Sequence, residues 1–440
     1  MRFRLELTRR HPLRQRIFDF LERRRRHERW FKRWILTATC LTVALVLETL
    51  PRGRYLMAGL ASEARQAARY AIGVPTPREE IADAWQRYRL LGIAESRAKL
   101  VEVFAEASPE LQRLMRYAGL GPERGLLRWG NYNQTLLLPS TVFEADDAGR
   151  SYRLRPNLRS IWLRNVSLKN GVLGFFLVPD GPGLAAAIRG TPAIPVETSR
   201  QTTNSWGLRG PEPDPHAPLR GIVLGDSYMQ GLFIGDDQTP SECLRRYLQD
   251  RLETRVSILN AGVMGYSPEQ YYYSLLAFAD RFRPHFVVVN VFANDFGDLF
   301  EVPSKGHADW DEGKYWLDLI ADLCRQRQWP HLVVAAPLRS HMFGRRQGGF
   351  YPGMLTNILD LNGMSFLNPI EDFINAHLNL VIPKQRQGQR PPGCPLFNDA
   401  IGDGHFSAAG SAVWADSVGR RLALLLEQDQ VGRGPRPGSG

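Results

Sequence analysis

Beyond residue 218 the chain alternates short, strongly apolar runs with longer stretches in which apolar residues recur every three or four positions. The short runs cover 221–224, 256–259, 286–291, 331–336 and 365–368 and carry no Asp, Glu, Lys or Arg, which predicts strands. The stretches between them read as helices, the last from about residue 408 to 427. Strand–helix alternation of this kind folds as a parallel sheet covered on both faces, so its strands need no polar face. The fold expected for 216–427 is therefore α/β. No internal repeat is visible.

Upstream the rhythm differs. Residues 131–215 contain short β-like runs such as "QTLLLPSTVF" and "VLGFFLVP", separated by Gly, Pro and Asn, a β-rich accessory region. The segment "PEPDPHAP" (211–218) is too proline-rich for regular structure and marks its end. Residues 52–130 read as helical, with two or three amphipathic helices between 77 and 119 and a break and restart at Ser108-Pro109. After the last helix, "QVGRGPRPGSG" and the residues just before it (428–440) read as a disordered tail.

Charge adds a membrane element. The formal net charge is +11, but residues 1–33 hold thirteen Arg or Lys against four Asp or Glu, leaving only +2 for the rest of the chain. This basic block meets "WILTATCLTVALVLETLP" (34–51), whose only charge is Glu48. As a helix the stretch is about 27 Å long, within the range of a membrane span, with Trp30, Phe31 and Trp34 as interfacial anchors. The excess of Arg and Lys on its amino side predicts an amino terminus in the cytoplasm and the large carboxyl part outside it. With a span directly behind the arginine run, anionic lipid headgroups rather than nucleic acid are its expected partner. The four cysteines, Cys40, Cys243, Cys324 and Cys394, have no C-x-x-C spacing and define neither a zinc site nor a disulfide framework.

The candidate chemistry sits where the predicted strands end. In "IVLGDSYMQG" (222–231) a buried strand delivers Ser227 into a turn that starts a helix, at the carboxyl edge where open α/β sheets hold their ligands. A serine needs a base to take its proton, and the oxyanion it forms needs donors aimed at it. Such groups follow the later strands. "NAGVMGYS" (260–267) offers the Gly265 N–H, "FANDFGD" (292–298) offers the Asn294 amide, and "GDGHFSAAG" (402–410) offers Asp403 and His405. Asp226 and Asp295, beside these residues, read as hydrogen-bonding groups that fix their loops.

These four blocks, in this order, resemble the GDSL/SGNH hydrolase superfamily, and the resemblance covers about 219–427. "TNSWGLRGPEP" (203–213) resembles the lead-in of membrane-anchored bacterial members. The resemblance implies a flavodoxin-like three-layer sheet, Ser227 as nucleophile, His405 as general base and then acid, and an oxyanion hole from the Ser227 N–H, the Gly265 N–H and Asn294. It implies no metal or cofactor. The superfamily's acid usually stands three positions before the histidine; here Gly402 occupies that place and Asp403 is one residue closer. Asp403 is the first candidate, with Gly404 supplying backbone freedom for the short spacing, and Asp399 is the second. Phe292, where a glycine is common, narrows the site on its side.

The function expected is a serine esterase anchored in a bacterial inner membrane and acting outside the cytoplasm on an acyl ester or acylated carbohydrate. The alternatives are an O-acetyltransferase of cell-surface polysaccharide using the same triad, and a non-catalytic binding subunit of an envelope complex.

Overall fold

Ser108 and Pro109 start the first helix as the sequence predicts. In α1 (Pro109–Ala118) the Ser108 hydroxyl accepts from Leu111 N at 3.3 Å, Pro109 fills a first-turn position whose N–H would go unpaired, and Gly119 ends the helix with φ 75°. The computed structural model describes residues 101–433 apart from 103, 122–125, 130–134, 147–148, 165–174, 297–307, 344–350, 353–354, 356–363, 387–392 and 399–403. The basic block, the expected span at 34–51, the first expected helices and residues 434–440 lie outside the described residues, as do Asp399 and Asp403. Among the described residues no helix is long and apolar enough to cross a membrane.

After α1 come β1 (Leu126–Trp129), β2 (Thr135–Leu138), β3 (Phe143–Asp146), β4 (Ser151–Leu154), β5 (Arg159–Arg164) and β6 (Phe175–Pro179), then α2 (Leu184–Ile188), β7 (Ile194–Pro195) and β8 (Gln201–Thr202). β1 corrects the expectation of helix up to residue 130. It pairs antiparallel with β2, Leu126 opposite Leu138 and Trp129 opposite Thr135, so main-chain pairing and not the helical spacing of the same leucines sets the local structure. β5 is the centre of a small antiparallel sheet with β6, β7 and β8. Its Ile161 and Leu163 pack on α1 and α2, while Trp162 faces the opposite way.

The larger layer contains β9 (Leu219–Gly225), α3 (Ser227–Gln230), α4 (Pro240–Leu252), β10 (Val256–Gly262), α5 (Pro268–Phe282), β11 (Phe286–Val291), α6 (Ala308–Gln326), β12 (His331–Ala335), β13 (Ser365–Leu367), α7 (Ile370–Arg386) and α8 (Ala408–Arg433). The strands are all parallel, in the order β10-β9-β11-β12-β13, the flavodoxin-like order with its switch point between β9 and β11. Successive residues of each strand serve opposite faces. Ile222, Leu224, Val287 and Val289 pack with α5 and α6, whereas Val223, Val288, Leu332 and Val334 pack with α4, α7 and α8. Both faces are thus covered, as the apolar runs predict. α8 continues past the expected end at 427 to Arg433; of the residues added, Gln428 to Arg433, only Gly432 disfavours helix, and the first proline is Pro435.

The described residues belong to one compact unit, Pro77–Gly440. Tyr152, Trp162 and Leu177 of the accessory strands share a core cluster with Ile222, Leu224, Phe233 and Tyr266. The proline-rich segment at 211–218 therefore joins two parts of one core.

Candidate active site

Ser227 is held by its own neighbour. β9 ends at Gly225, and the Asp226 carboxylate accepts from the Tyr228 N–H at 2.9 Å, capping α3 so that Ser227 becomes its first residue. This confirms the structural role read for Asp226. α3 lies close against the end of β10: a Cβ on Gly262 would stand 2.6 Å from Gln230 N, so only glycine admits the approach.

The other side of the site arrives from 178 residues away. His405 Nε2 lies 2.7 Å from Ser227 Oγ, hydrogen-bond distance for a base that takes a hydroxyl proton. The competing acceptor, Asp226 Oδ2, is 3.4 Å from the same hydroxyl. The histidine loop is fixed at three points. Tyr228 OH donates to Gly404 O at 3.0 Å, Asn398 N donates to His405 O at 2.9 Å, and Asn398 Nδ2 donates to Phe406 O at 2.9 Å and to Leu232 O at 3.1 Å. The imidazole lies against the rings of Tyr228 and Phe233, with centroids 4.8 and 6.3 Å away. Ser227 and His405 are both half-buried, open enough for a substrate to reach them.

Gly265 occupies the turn after β10 with φ 74°, a conformation that side chains resist. The turn is bonded to both ends of the Ser227 segment: Val263 N donates to Gly225 O at 3.3 Å and Met264 N to Gln230 Oε1 at 2.7 Å. Asn294 lies in the 3-10 turn Ala293–Phe296 that follows β11, at the same edge of the sheet. The Asp295 carboxylate anchors that turn, accepting from Phe292 N at 2.8 Å and from Tyr271 OH at 2.9 and 3.1 Å, again the loop-fixing role read from the sequence. Phe292 stacks on Tyr228 at 4.4 Å.

Beneath the site the carboxyls are strained electrostatically. Burial raises Asp226 to about 6, opposed by the Tyr228 amide and the His405 charge. Burial, reinforced by repulsion from Asp226, holds Asp295 well above the usual carboxylate range, and burial likewise raises the Tyr271 phenol.

The backbone freedom expected of Gly404 is not used. Its φ is not positive, and a Cβ there would meet nothing within 4 Å. Sequence reasoning missed Tyr228, Asn398 and Arg209. The only signal for Arg209 was a lone arginine among apolar and glycine residues in "WGLRG"; its side chain is fully buried behind α3.

No protein-family model matches the chain, and no curated protein matches it. Among solved structures it is similar to the psychrotrophic esterase EstA from a Pseudoalteromonas species, at 15% identity over 47% of this chain and 98% of that one, with a TM-score of 0.33. It is similar to the acetyl xylan esterase AlAXEase at 18% identity over 46% of this chain and 100% of that one, with a TM-score of 0.33. A GDSL-like lipase from Bacteroides thetaiotaomicron is similar at 13% identity over 48% of this chain and 89% of that one, with a TM-score of 0.28. These are similarities to esterases and a GDSL-like lipase at low identity, extending over about half of this chain.

Proposed function

We propose that this chain is a serine esterase of the SGNH kind. The observation that carries the reading is the 2.7 Å approach of His405 Nε2 to Ser227 Oγ at the carboxyl edge of a parallel sheet. In this reading Ser227 Oγ attacks the carbonyl carbon of an acyl ester while His405 takes its proton. The tetrahedral oxyanion is held by the Ser227 N–H, the Gly265 N–H and the Asn294 amide. His405 then returns the proton to the leaving alcohol as its bond to the acyl carbon breaks. Water, deprotonated by the same imidazole, releases the acid from Ser227. Asp403 orients the imidazole, with Asp399 as the alternative.

The substrate proposed is an acyl or acetyl ester, on a carbohydrate for example, outside the cytoplasm. The chain reaches it from an inner-membrane anchor at 34–51, a placement supported by the apolar stretch and the charge asymmetry around it. The test is p-nitrophenyl acetate turnover by the full-length chain in detergent, beside Ser227→Ala, with and without oligosaccharide. Turnover that requires Ser227 supports the reading, and equal rates for the two proteins overturn it. Faster turnover with an acylated sugar as product assigns acyl transfer in place of hydrolysis.

A further inference from the structure

Arg209 belongs to the accessory part of the chain by sequence but to the Ser227 segment by its bonds. Its side chain is fully buried, and among the described residues its side-chain hydrogen bonds go to residues between 230 and 236. Nη1 donates to Gln230 O at 2.6 Å and to Gly231 O, Nη2 donates to Ile234 O at 2.5 Å, and Nε donates to Asp236 Oδ1 at 2.9 Å. Gln230 is the last residue of α3 and Gly231 its left-handed cap, φ 75°. A helix end leaves carbonyls without partners, and here one planar guanidinium fills that need for a four-residue helix that begins with Ser227. The fit is close: a Cβ on Gly231 would stand 3.2 Å from Arg209 Nη1.

The loop gripped in this way runs on to the histidine. Leu232 O accepts from Asn398 Nδ2 at 3.1 Å, Asn398 N donates to His405 O at 2.9 Å, and the Phe233 ring faces His405. Asp236 is itself held to the accessory strand β8, accepting from Thr202 N at 2.9 Å and from Thr202 Oγ1 at 2.7 Å. Bonds therefore run from the accessory region through Arg209 to the end of the Ser227 helix, and from the same loop through Asn398 to the His405 backbone. A buried arginine that served only to close an ion pair would spend its donors on the carboxylate, whereas three of these four bonds go to main-chain carbonyls of the loop.

We propose that Arg209 is a positioning residue for the reaction, fixing the 230–236 loop so that Ser227 and His405 stay at transfer distance. The proposal rests on the serine-esterase reading above. Misplacement of reacting groups by about 1 Å costs on the order of 100-fold in rate. Lysine supplies one ammonium in place of the guanidinium fork, so Arg209→Lys is expected to slow the reaction about 10- to 100-fold per active site.

The test uses the full-length chain and a fluorescent fluorophosphonate in excess, reading both the labelling rate constant and the final labelled fraction, alongside circular dichroism. Wild type, Ser227→Ala, Arg209→Lys and Asp236→Asn are compared. The expected result is that Arg209→Lys reaches the wild-type labelled fraction at a rate about 10- to 100-fold lower. A purely structural arginine would lower the labelled fraction and leave the rate constant of the folded chains unchanged, and that result overturns the proposal. If Arg209→Lys does not fold, Asp236→Asn carries the test. It leaves the carbonyl bonds, removes the charge that strengthens the bond from Nε and turns the oxygen that Thr202 donates to into a donor, so the guanidinium loses its ionic anchor to β8 and a rate about 3- to 10-fold below wild type is expected, and an unchanged rate overturns the proposal. Wild type that labels no faster than Ser227→Ala removes the esterase reading and this proposal with it. Labelling that requires Ser227 but is indifferent to both other variants removes the proposal alone.

Discussion

The Tyr228 hydroxyl donates to Gly404 O at 3.0 Å, so the residue after the candidate nucleophile is bonded to the residue before the candidate base. Tyr228 is buried and its ring also packs on His405 and Phe292. Tyr228→Phe keeps these ring contacts and removes only the hydroxyl. A hydrogen bond of this kind contributes about 1 kcal/mol, or about fivefold in rate if it acts wholly on alignment. The expected outcome is a kcat lowered by about that factor with KM little changed, measured on p-nitrophenyl acetate. A changed KM with constant kcat would assign Tyr228 to substrate binding instead.

Ser227→Ala should abolish turnover and leave the fold intact, because Ser227 is half-buried and among the described residues its hydroxyl bonds only to Asp226 and His405. Thermal melting should match wild type to within a few degrees, about what a change below 1 kcal/mol produces. Retention of more than a small part of the wild-type rate would remove the nucleophile assignment.

Asn294→Ala should lower kcat by about 100-fold or more, the effect of losing one oxyanion donor. The turn carrying it is anchored independently by Asp295 to Phe292 N and Tyr271 OH, so the loss is expected without unfolding. A raised KM with constant kcat would place Asn294 in binding.

The parallel sheet was legible because its strands are buried on both faces and so lack the alternation that makes half-exposed strands ambiguous; 286–291 was found to the residue. The meeting of Ser227 and His405 was legible because a strand that ends in a serine, and a histidine before a terminal helix, bring both side chains to the carboxyl edge of a parallel sheet; Asp403 and Asp399 lie outside the described residues. β1 was not, since four residues of "LLRW" fit a helix turn as well as a strand and only pairing with β2 decides between them. The bonds from Arg209, Tyr228 and Asn398 were not legible either: each ends on a main-chain carbonyl of a distant loop, and any residue can supply a carbonyl.

Stability should fall with rising pH on account of Asp226. Burial raises its carboxyl to about 6, against about 3.9 in an unfolded chain. The folded chain thus holds this proton more tightly, and the stability it contributes is fully present below about pH 4 and lost as pH rises through about 6. The difference amounts to roughly 3 kcal/mol. Asp226→Asn retains an oxygen for the Tyr228 N–H and removes the titration. Melting of the two proteins from about pH 4 to 7 should show wild type losing stability relative to Asp226→Asn across that window; parallel curves would show that Asp226 is not the titrating group.

The carboxylate partner of His405 has two candidates, and replacing each by its amide separates them. In a Ser/His/Asp system the carboxylate fixes which ring nitrogen faces the serine and stabilises the imidazolium that forms, so an isosteric amide preserves shape and spoils the tautomer, at a cost of about 10,000-fold in kcat. Asp403→Asn should therefore be crippling and Asp399→Asn mild. Gly404 supplies an internal control. Because a Cβ there meets nothing within 4 Å and its φ is not positive, Gly404→Ala should leave kcat within about twofold, as surface changes away from special features do. A severe loss from Gly404→Ala would mean that the short Asp-Gly-His spacing depends on glycine geometry. A severe loss from Asp399→Asn with a mild one from Asp403→Asn would make Asp399 the third member of the triad, six residues before His405 and next to Asn398, which already bonds the histidine's carbonyl.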